Sequence, residues 1–345
     1  MFKRALVNTD IHFGKKNNEK VFLNDCDEYI DWSIEIGKKE NVDCYIHLGD
    51  WHDNRKSINI YTLSRSFENV KKIVNNFPLV IFILGNHDLS LKDDRTINSL
   101  EFFSQFNNLL LIKDIKQIND CLFVPWLVGD EHKLLKSFDL PYVFGHFEIS
   151  SFKYNLNKEM PDVGRLNMDG FNPKVKYVFS GHFHIRQIKE NIYGTKIVYI
   201  GNCFPHDFND CNDRERGLMI FERDKEIKFY DWKNCPLYMN YNVNDFFKVL
   251  SQSDEKITSK TTVKINVNKD YNLDDLFFIR EKLVQHGILR DMIFNFIDIE
   301  ENSFTETNES LEFFTIDEIV LKGIELIESS IIDKNVLLEI YKSLN

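Results

Sequence analysis

Five short stretches of this 345-residue chain end apolar runs on side chains that can hold a cation. They are Thr9-Asp10-Ile11-His12, Gly49-Asp50-Trp51-His52-Asp53, Gly85-Asn86-His87-Asp88, Gly145-His146 and Gly181-His182-Phe183-His184. Carboxylate, imidazole and amide oxygen together suit a hard-to-borderline divalent ion such as manganese, iron or zinc. Seven candidates, Asp10, His12, Asp50, Asn86, His146, His182 and His184, exceed what one ion requires. With one bridging carboxylate they suffice for two ions roughly 3.5–4 Å apart, the spacing that serves phosphoryl hydrolysis. Two such ions would outweigh the charges of Asp10 and Asp50, leaving a cationic patch that attracts a phosphodiester.

Each stretch alone is weak. A single histidine at a strand end is more often structural than a ligand. Gly-Asn-His-Asp can be a plain turn with a left-handed Asn, and Asp-x-His has almost no specificity. The reading rests on their joint order along one chain. Four of the five place a glycine directly before the first polar residue, which is expected to let the backbone turn sharply. Other histidines take duller roles: His47 is expected in the core and His132 on a solvated helix. His52 adjoins the site without a defined part, and His206, after a turn at 201–205, is a weak candidate for lining the groove.

Residues this far apart in sequence need a scaffold that gathers strand ends. Apolar runs at residues 5–7, 43–48, 79–84, 122–127, 142–144, 176–179 and 197–200 read as strands. Between them, residues 22–39 and 62–77 carry apolar stripes at helical spacing, the second through Leu63, Phe67, Val70, Val74 and Phe77. Strand and helix alternation predicts βαβ units, whose sites form at the carboxyl ends of the strands. Two more strands, at 218–222 and 227–232, close a layered α/β domain. The character then changes: residues 261–267, 273–286 and 290–299 read as a β-α-β unit, followed by an acidic linker and two short helices.

Composition bounds the setting. The net charge of −11 argues against a broad basic nucleic-acid groove, though not against a local site made positive by metal. Six scattered cysteines with no Cys-x-x-Cys pair fit reduced thiols in a cytoplasmic protein. No apolar run approaches the length of a membrane span, and the first ten residues turn polar too early for a secretory signal.

In this order the five motifs resemble the calcineurin-like metallophosphoesterases. The full layout is similar to one branch, the SbcD-type nuclease subunits of double-strand-break-processing complexes, phage recombination nucleases among them. The motifs carry the resemblance as far as about Trp232; beyond Pro236 it rests on the order of elements. It implies a four-layer α/β fold, two mixed sheets between helices, with a small α+β capping domain and C-terminal helices. The implied divisions are a nuclease domain at 1–235, a DNA-capping domain at 236–300, a linker at 301–312 and a partner-binding tail at 313–345. The resemblance assigns Asp10, His12 and His184 to a first ion, Asn86, His146 and His182 to a second, and Asp50 to both, manganese being the expected metal. His87 would stabilise the transition state or protonate the leaving group, while Asp53 and Asp88 would orient imidazoles from behind.

Lys15, Lys16, Arg55, Lys56 and Arg186 are candidate DNA contacts, set in loops expected to edge the site. In the tail, Ile316, Ile319, Val320, Ile324, Ile327, Leu337, Ile340 and Tyr341 form apolar stripes on helices too small to bury them alone. The resemblance implies that this tail docks on an SMC-like ATPase, in a heterotetramer built on a homodimer. The expected function is therefore a DNA exonuclease and endonuclease of recombination and repair. A phosphoesterase acting on a small molecule or protein is the rival.

Overall fold

Strands covered on both faces read as continuous apolar runs, and the runs above become the inner strands of two six-stranded sheets. The computed structural model describes residues 2–296 apart from 156–157, 212, 252–256 and 269–270. The first sheet has the order Lys228–Asp231, Gly217–Glu222, Arg4–Asn8, Cys44–His47, Leu79–Ile83 and Leu109–Ile112. Its last four strands are parallel, and Gly217–Glu222 runs against both of its neighbours. The second has the order Gln187–Glu190, Lys196–Tyr199, Tyr177–Gly181, Tyr142–His146, Cys121–Val124 and Lys116–Ile118. Four inner strands are parallel there, with an antiparallel strand at each edge.

Alternate residues along each strand face opposite sides, so the two sheets pack on one set and cover the other. Val7, Ile46 and Ile81 of the first sheet meet Phe123, Phe144 and Phe179 of the second in a shared core. Leu6, Tyr45, Val80 and Phe82 face the other way, against Cys26, Ile30, Val70 and Ile73. Those partners belong to the helices Lys20–Lys39 and Ile60–Asn76, as their stripes predict. Asn59 caps the second helix by accepting from the amide of Tyr61, and Pro78 follows its end. The outer face of the second sheet is covered differently, by Leu135, Phe147, Phe152, Leu166 and Phe171 on loops and short 3-10 turns. Pro125 ends one predicted strand early, at Val124.

A third sheet holds Leu237–Asn242, Thr261–Val267 and Asp291–Phe296, all parallel with the middle one central. The helices Val243–Ser251 and Leu273–Gln285 connect them. The sequence reading recognised the second half of this unit and missed its first strand and helix. Arg290 ties the unit to the first long helix through two bonds to Asp25, at 2.6 and 2.8 Å. The expected linker and tail, with the apolar positions from Ile316 to Tyr341, lie outside the described residues. Among the described residues no helix is long and apolar enough to cross a membrane, and all six cysteines are unpaired.

Candidate metal centre

The strands ending at Asn8, His47 and Ile83 are parallel neighbours in one sheet, and those ending at His146 and Gly181 are parallel neighbours in the other. Their carboxyl ends therefore open on a common edge. Backbone pairing continues past the strands: Asp10 N donates to Gly49 O at 3.0 Å, His12 N to Asp50 O at 3.1 Å and Phe13 N to Trp51 O at 2.7 Å. Asp10, His12, Asp50 and His182 all have positive φ, between 53 and 88°. Non-glycine residues adopt that conformation only where the surroundings impose it, as at functional sites.

The glycines work otherwise than expected. Of the four that precede ligand candidates, Gly49 alone has the positive φ of a sharp turn, 102°. The others permit close approach. A Cβ on Gly85 would lie 2.3 Å from Asp50 N, and one on Gly181 would lie 2.0 Å from Thr9 Oγ1. Loops must touch here for their side chains to converge.

Six of the seven ligand candidates come together around Asp50, and His184 joins them through His12. Asp10, His12 and Asp50 offer ligand atoms within 4.8 Å of one another, and so do Asp50, His146 and His182. In the first group, His12 Nε2 lies 3.8 Å from both Asp10 Oδ1 and Asp50 Oδ2, and His184 stacks edge-on at 5.2 Å. His12 is buried, yet neither ring nitrogen makes a hydrogen bond of good geometry. In the second group, His146 Nδ1 donates to the Leu48 carbonyl at 2.7 Å. Its Nε2 is thereby turned to Asp50 Oδ2 at 3.3 Å and Asn86 Oδ1 at 3.2 Å. Three lone-pair atoms facing one another require a proton or a cation between them.

Without a metal, protons would serve. Burial opposes a charge on His146, but Asp50, with Asp10 and the Leu48 carbonyl, outweighs it and its pKa rises to about 9. Burial likewise opposes charge on His12, yet the contacts with Asp53, Asp50 and Asp10 hold its pKa above the ordinary value. Asp50 is itself held well below the usual carboxylate range: burial disfavours its charge, and His146, His87 and His12 more than compensate. Buried acceptors, unpartnered imidazole nitrogens and a central carboxylate form a donor set that fits two divalent ions.

The flanking residues divide. Asp53 Oδ1 lies 3.1 Å from His12 Nδ1, the position of an imidazole support. Asp88 does something else. Its carboxylate accepts from the amides of Asp50, Trp51, His52 and Gly85 at 2.9 to 3.1 Å, so it staples two loops rather than orienting an imidazole. Burial and then the neighbouring Asp50 push its pKa up to about 7, while the four amides favour the ionised form. His87 sits edge-on to His12 at 4.9 Å, and its Nδ1 donates to the Asp53 carbonyl at 2.6 Å. Only Nε2 is left to exchange a proton; burial lowers its pKa.

Two expected DNA contacts are spent inside the fold. Arg186 bonds Asp231 at 2.8 Å and the Ile200 carbonyl, and its guanidinium covers the Phe229 ring. Lys16 bonds the Tyr238 hydroxyl and lies over that ring. Arg186 is thus paired with a carboxylate and Lys16 is turned onto the Tyr238 ring, so neither side chain is free for a strand. Lys15 is half-buried, 3.6 Å from Asp207, while Arg55 is half-exposed and Lys56 exposed. His132 is half-buried rather than solvated, and it lines a cavity of about 440 Å³ beside His146. Trp126, Phe147, Glu148, Lys92 and Arg165 line it too, none of them singled out from the sequence. His47 is buried, with Nδ1 on Asn8 Oδ1 at 3.0 Å, and His52 is held between Ser66 and Ser99.

A sequence model of the calcineurin-like phosphoesterase family matches residues 3–186. Exonuclease subunit 1 of Enterobacteria phage T4 is 26% identical over 307 residues, covering 86% of each chain. Among solved structures, a dimetal phosphatase from Danio rerio aligns with a TM-score of 0.43 at 12% identity, over 66% of this chain and 95% of that one.

Proposed function

Because this chain belongs to the calcineurin-like phosphoesterase family, we propose that it is the nuclease subunit of a DNA-processing complex, cleaving phosphodiester bonds with two manganese ions. The observation that carries the reading is Asp50 Oδ2, set between the Nε2 atoms of His12 and His146 at 3.8 and 3.3 Å. What points beyond hydrolysis to DNA is the likeness to a phage exonuclease subunit along 86% of the chain. Asp10, His12 and His184 would hold one ion, Asn86, His146 and His182 the other, and Asp50 both. Bound there, the ions would polarise the phosphate and supply a water reactive at neutral pH.

The chain's own groups complete the chemistry. His87, fixed through Nδ1 to a carbonyl, would use Nε2 to hold the scissile phosphate or pass a proton to the leaving oxygen. Asp53 keeps His12 turned inward, and Asp88 keeps the two ligand loops in register. The cavity beside His146 has room for the nucleotide next to the cleaved bond. Lys15, Arg55 and Lys56 remain the candidates for backbone contact. The proposed division is a nuclease domain at 1–235 with a capping domain at 236–300 and a tail at 313–345 that engages an SMC-like ATPase. Digestion 3′ to 5′ from duplex ends, single-strand endonuclease action, a homodimeric core and a place in recombination and repair in a host cytoplasm complete the proposal.

The test compares plasmid and end-labelled duplex DNA with chromogenic phosphomonoesters and phosphodiesters, with and without manganese. Manganese-dependent DNA cleavage is expected, strengthened when the co-purified ATPase and ATP are present. Turnover of the small esters with intact DNA would replace the nuclease by a small-molecule phosphoesterase.

A further inference from the structure

We infer that His206 is an eighth donor to the centre, completing the first ion's shell beside His12 and His184; this rests on the two-ion reading above. The family motifs leave His206 out, since it follows them on the segment after the strand Lys196–Tyr199. The fold brings it back. Gly201, with φ +83°, carries the chain directly against the His184 loop: an added Cβ would lie 2.9 Å from the His184 carbonyl. Asn202 N donates to that same carbonyl at 3.0 Å. His206 N is then pinned on Asp210 Oδ2 at 2.8 Å, and Asp210 is itself paired with Arg216 at 3.3 Å.

The ring that results is fully buried and poorly partnered. His206 Nδ1 makes no hydrogen bond, and Nε2 meets only Cys203 Sγ at 3.9 Å. Phe204 and Phe22 pack against it at 5.1 and 5.4 Å, and His12 and His184 each stand 5.4 Å away. One ring nitrogen of His206 lies within 4.8 Å of the ligand atoms of His12 and His184, close enough for all three to share an ion. An imidazole taken out of water with unsatisfied nitrogens is destabilising unless something fills the lone pair. A cation shared with two other imidazoles does so. Three imidazoles with carboxylate make the first shell nitrogen-rich, which favours manganese, iron or zinc over magnesium or calcium. The second shell, with two imidazoles and an amide oxygen, should hold its ion less tightly.

Two measurements on the full chain, stripped with chelator, decide the matter. In calorimetric titration with Mn²⁺, the wild type should show a tight and a weaker site. His206→Phe, shaped to fill the aromatic pocket, should weaken the tight site on the order of 10- to 100-fold, the scale of losses at supporting groups, with the weaker site unchanged. Unaltered tight binding in a folded His206→Phe protein overturns the inference and leaves the two-ion reading standing. A wild type that takes up no Mn²⁺ overturns the two-ion reading itself. Should the variant fail to fold, electron spin-echo modulation of wild type loaded with one equivalent of Mn²⁺ counts the imidazole nitrogens on the tight site. Three support His206 as a ligand, and two remove it.

Discussion

The two halves of the centre share Asp50 and differ in almost everything else. His12, in the first half, is backed by a carboxylate, Asp53, at 3.1 Å, whereas His146 in the second is backed by the Leu48 carbonyl at 2.7 Å. A carboxylate behind an imidazole makes it a stronger donor than a neutral carbonyl does. The halves also differ in origin. Asp10, His12 and Asp50 leave adjacent strands of the first sheet, so their spacing is set by one ladder of backbone hydrogen bonds. Asn86 comes from the first sheet and His146 and His182 from the second, so the second half draws most of its own donors across the interface packed through Phe144, Phe179, Ile46 and Ile81, where the first half, before His206 is counted, draws only His184. The first half leans mainly on one sheet and the second on the joint between the two. An ion held at that joint would be the better placed to exchange or to meet substrate.

The largest expected effect comes from the residue the halves share. Asp50→Ala should empty both, lowering manganese content from two equivalents towards none and cleavage by at least the roughly 10²–10³-fold typical of losing one transition-state contact. Retention of one ion, read by elemental analysis, would show that Asp50 is no bridge and that the halves are independent. His87→Ala separates holding from chemistry: a loss of roughly 10²–10⁴-fold in rate is expected with metal content unchanged. Metal lost together with activity would move His87 into the ligand set, where its edge-on contact with His12 would then matter.

A smaller change sharpens the contrast of carboxylate with carbonyl. Asp53→Asn should weaken the first site about 10- to 100-fold and leave the second alone. Leu48 offers no matching substitution, since its backbone oxygen does the supporting. Equal weakening of both sites would mean that the cluster behaves as one electrostatic unit.

Much of this centre was legible in the sequence because its makers are local. A strand followed at once by polar residues puts those residues at the strand's carboxyl end, wherever the strand lies, and parallel pairing gathers such ends on one edge. What escaped was set by contacts between loops. Asp88 sits in the Gly-Asn-His-Asp motif, but only the folded chain shows its carboxylate taking four amides. The glycines were legible as glycines, yet steric closeness, more than turning, explains three of the four. Glu148 and Trp126 reach the site from positions with no motif of their own, and His206, read from the sequence only as a candidate for lining the groove, lies beside His12 and His184. The missed strand Leu237–Asn242 mixes Tyr, Met and Asn, so its burial is set by the neighbouring Thr261–Val267 strand.

The smallest effect tests the scaffold beneath both halves. His47 lies on the strand that delivers Asp50, buried, with Nδ1 donating to Asn8 Oδ1 and Nε2 unpartnered. Burial first, and then the neighbouring His146, lower its pKa to about 3. Unfolded, it would titrate near 6.5. The folded chain therefore binds fewer protons than the unfolded one between those values. Its contribution to stability is fully present above about pH 6.5 and drains away as pH falls towards 3, at up to roughly 1.4 kcal/mol per pH unit. Urea denaturation of chelator-treated protein between pH 7 and pH 5 should show His47→Gln with a slope shallower by about one proton than wild type. Gln can still donate to Asn8, so the packing around both halves is retained. Parallel slopes would mean that His47 gains a proton without unfolding, and that the interior behind the centre is wetter than its burial implies.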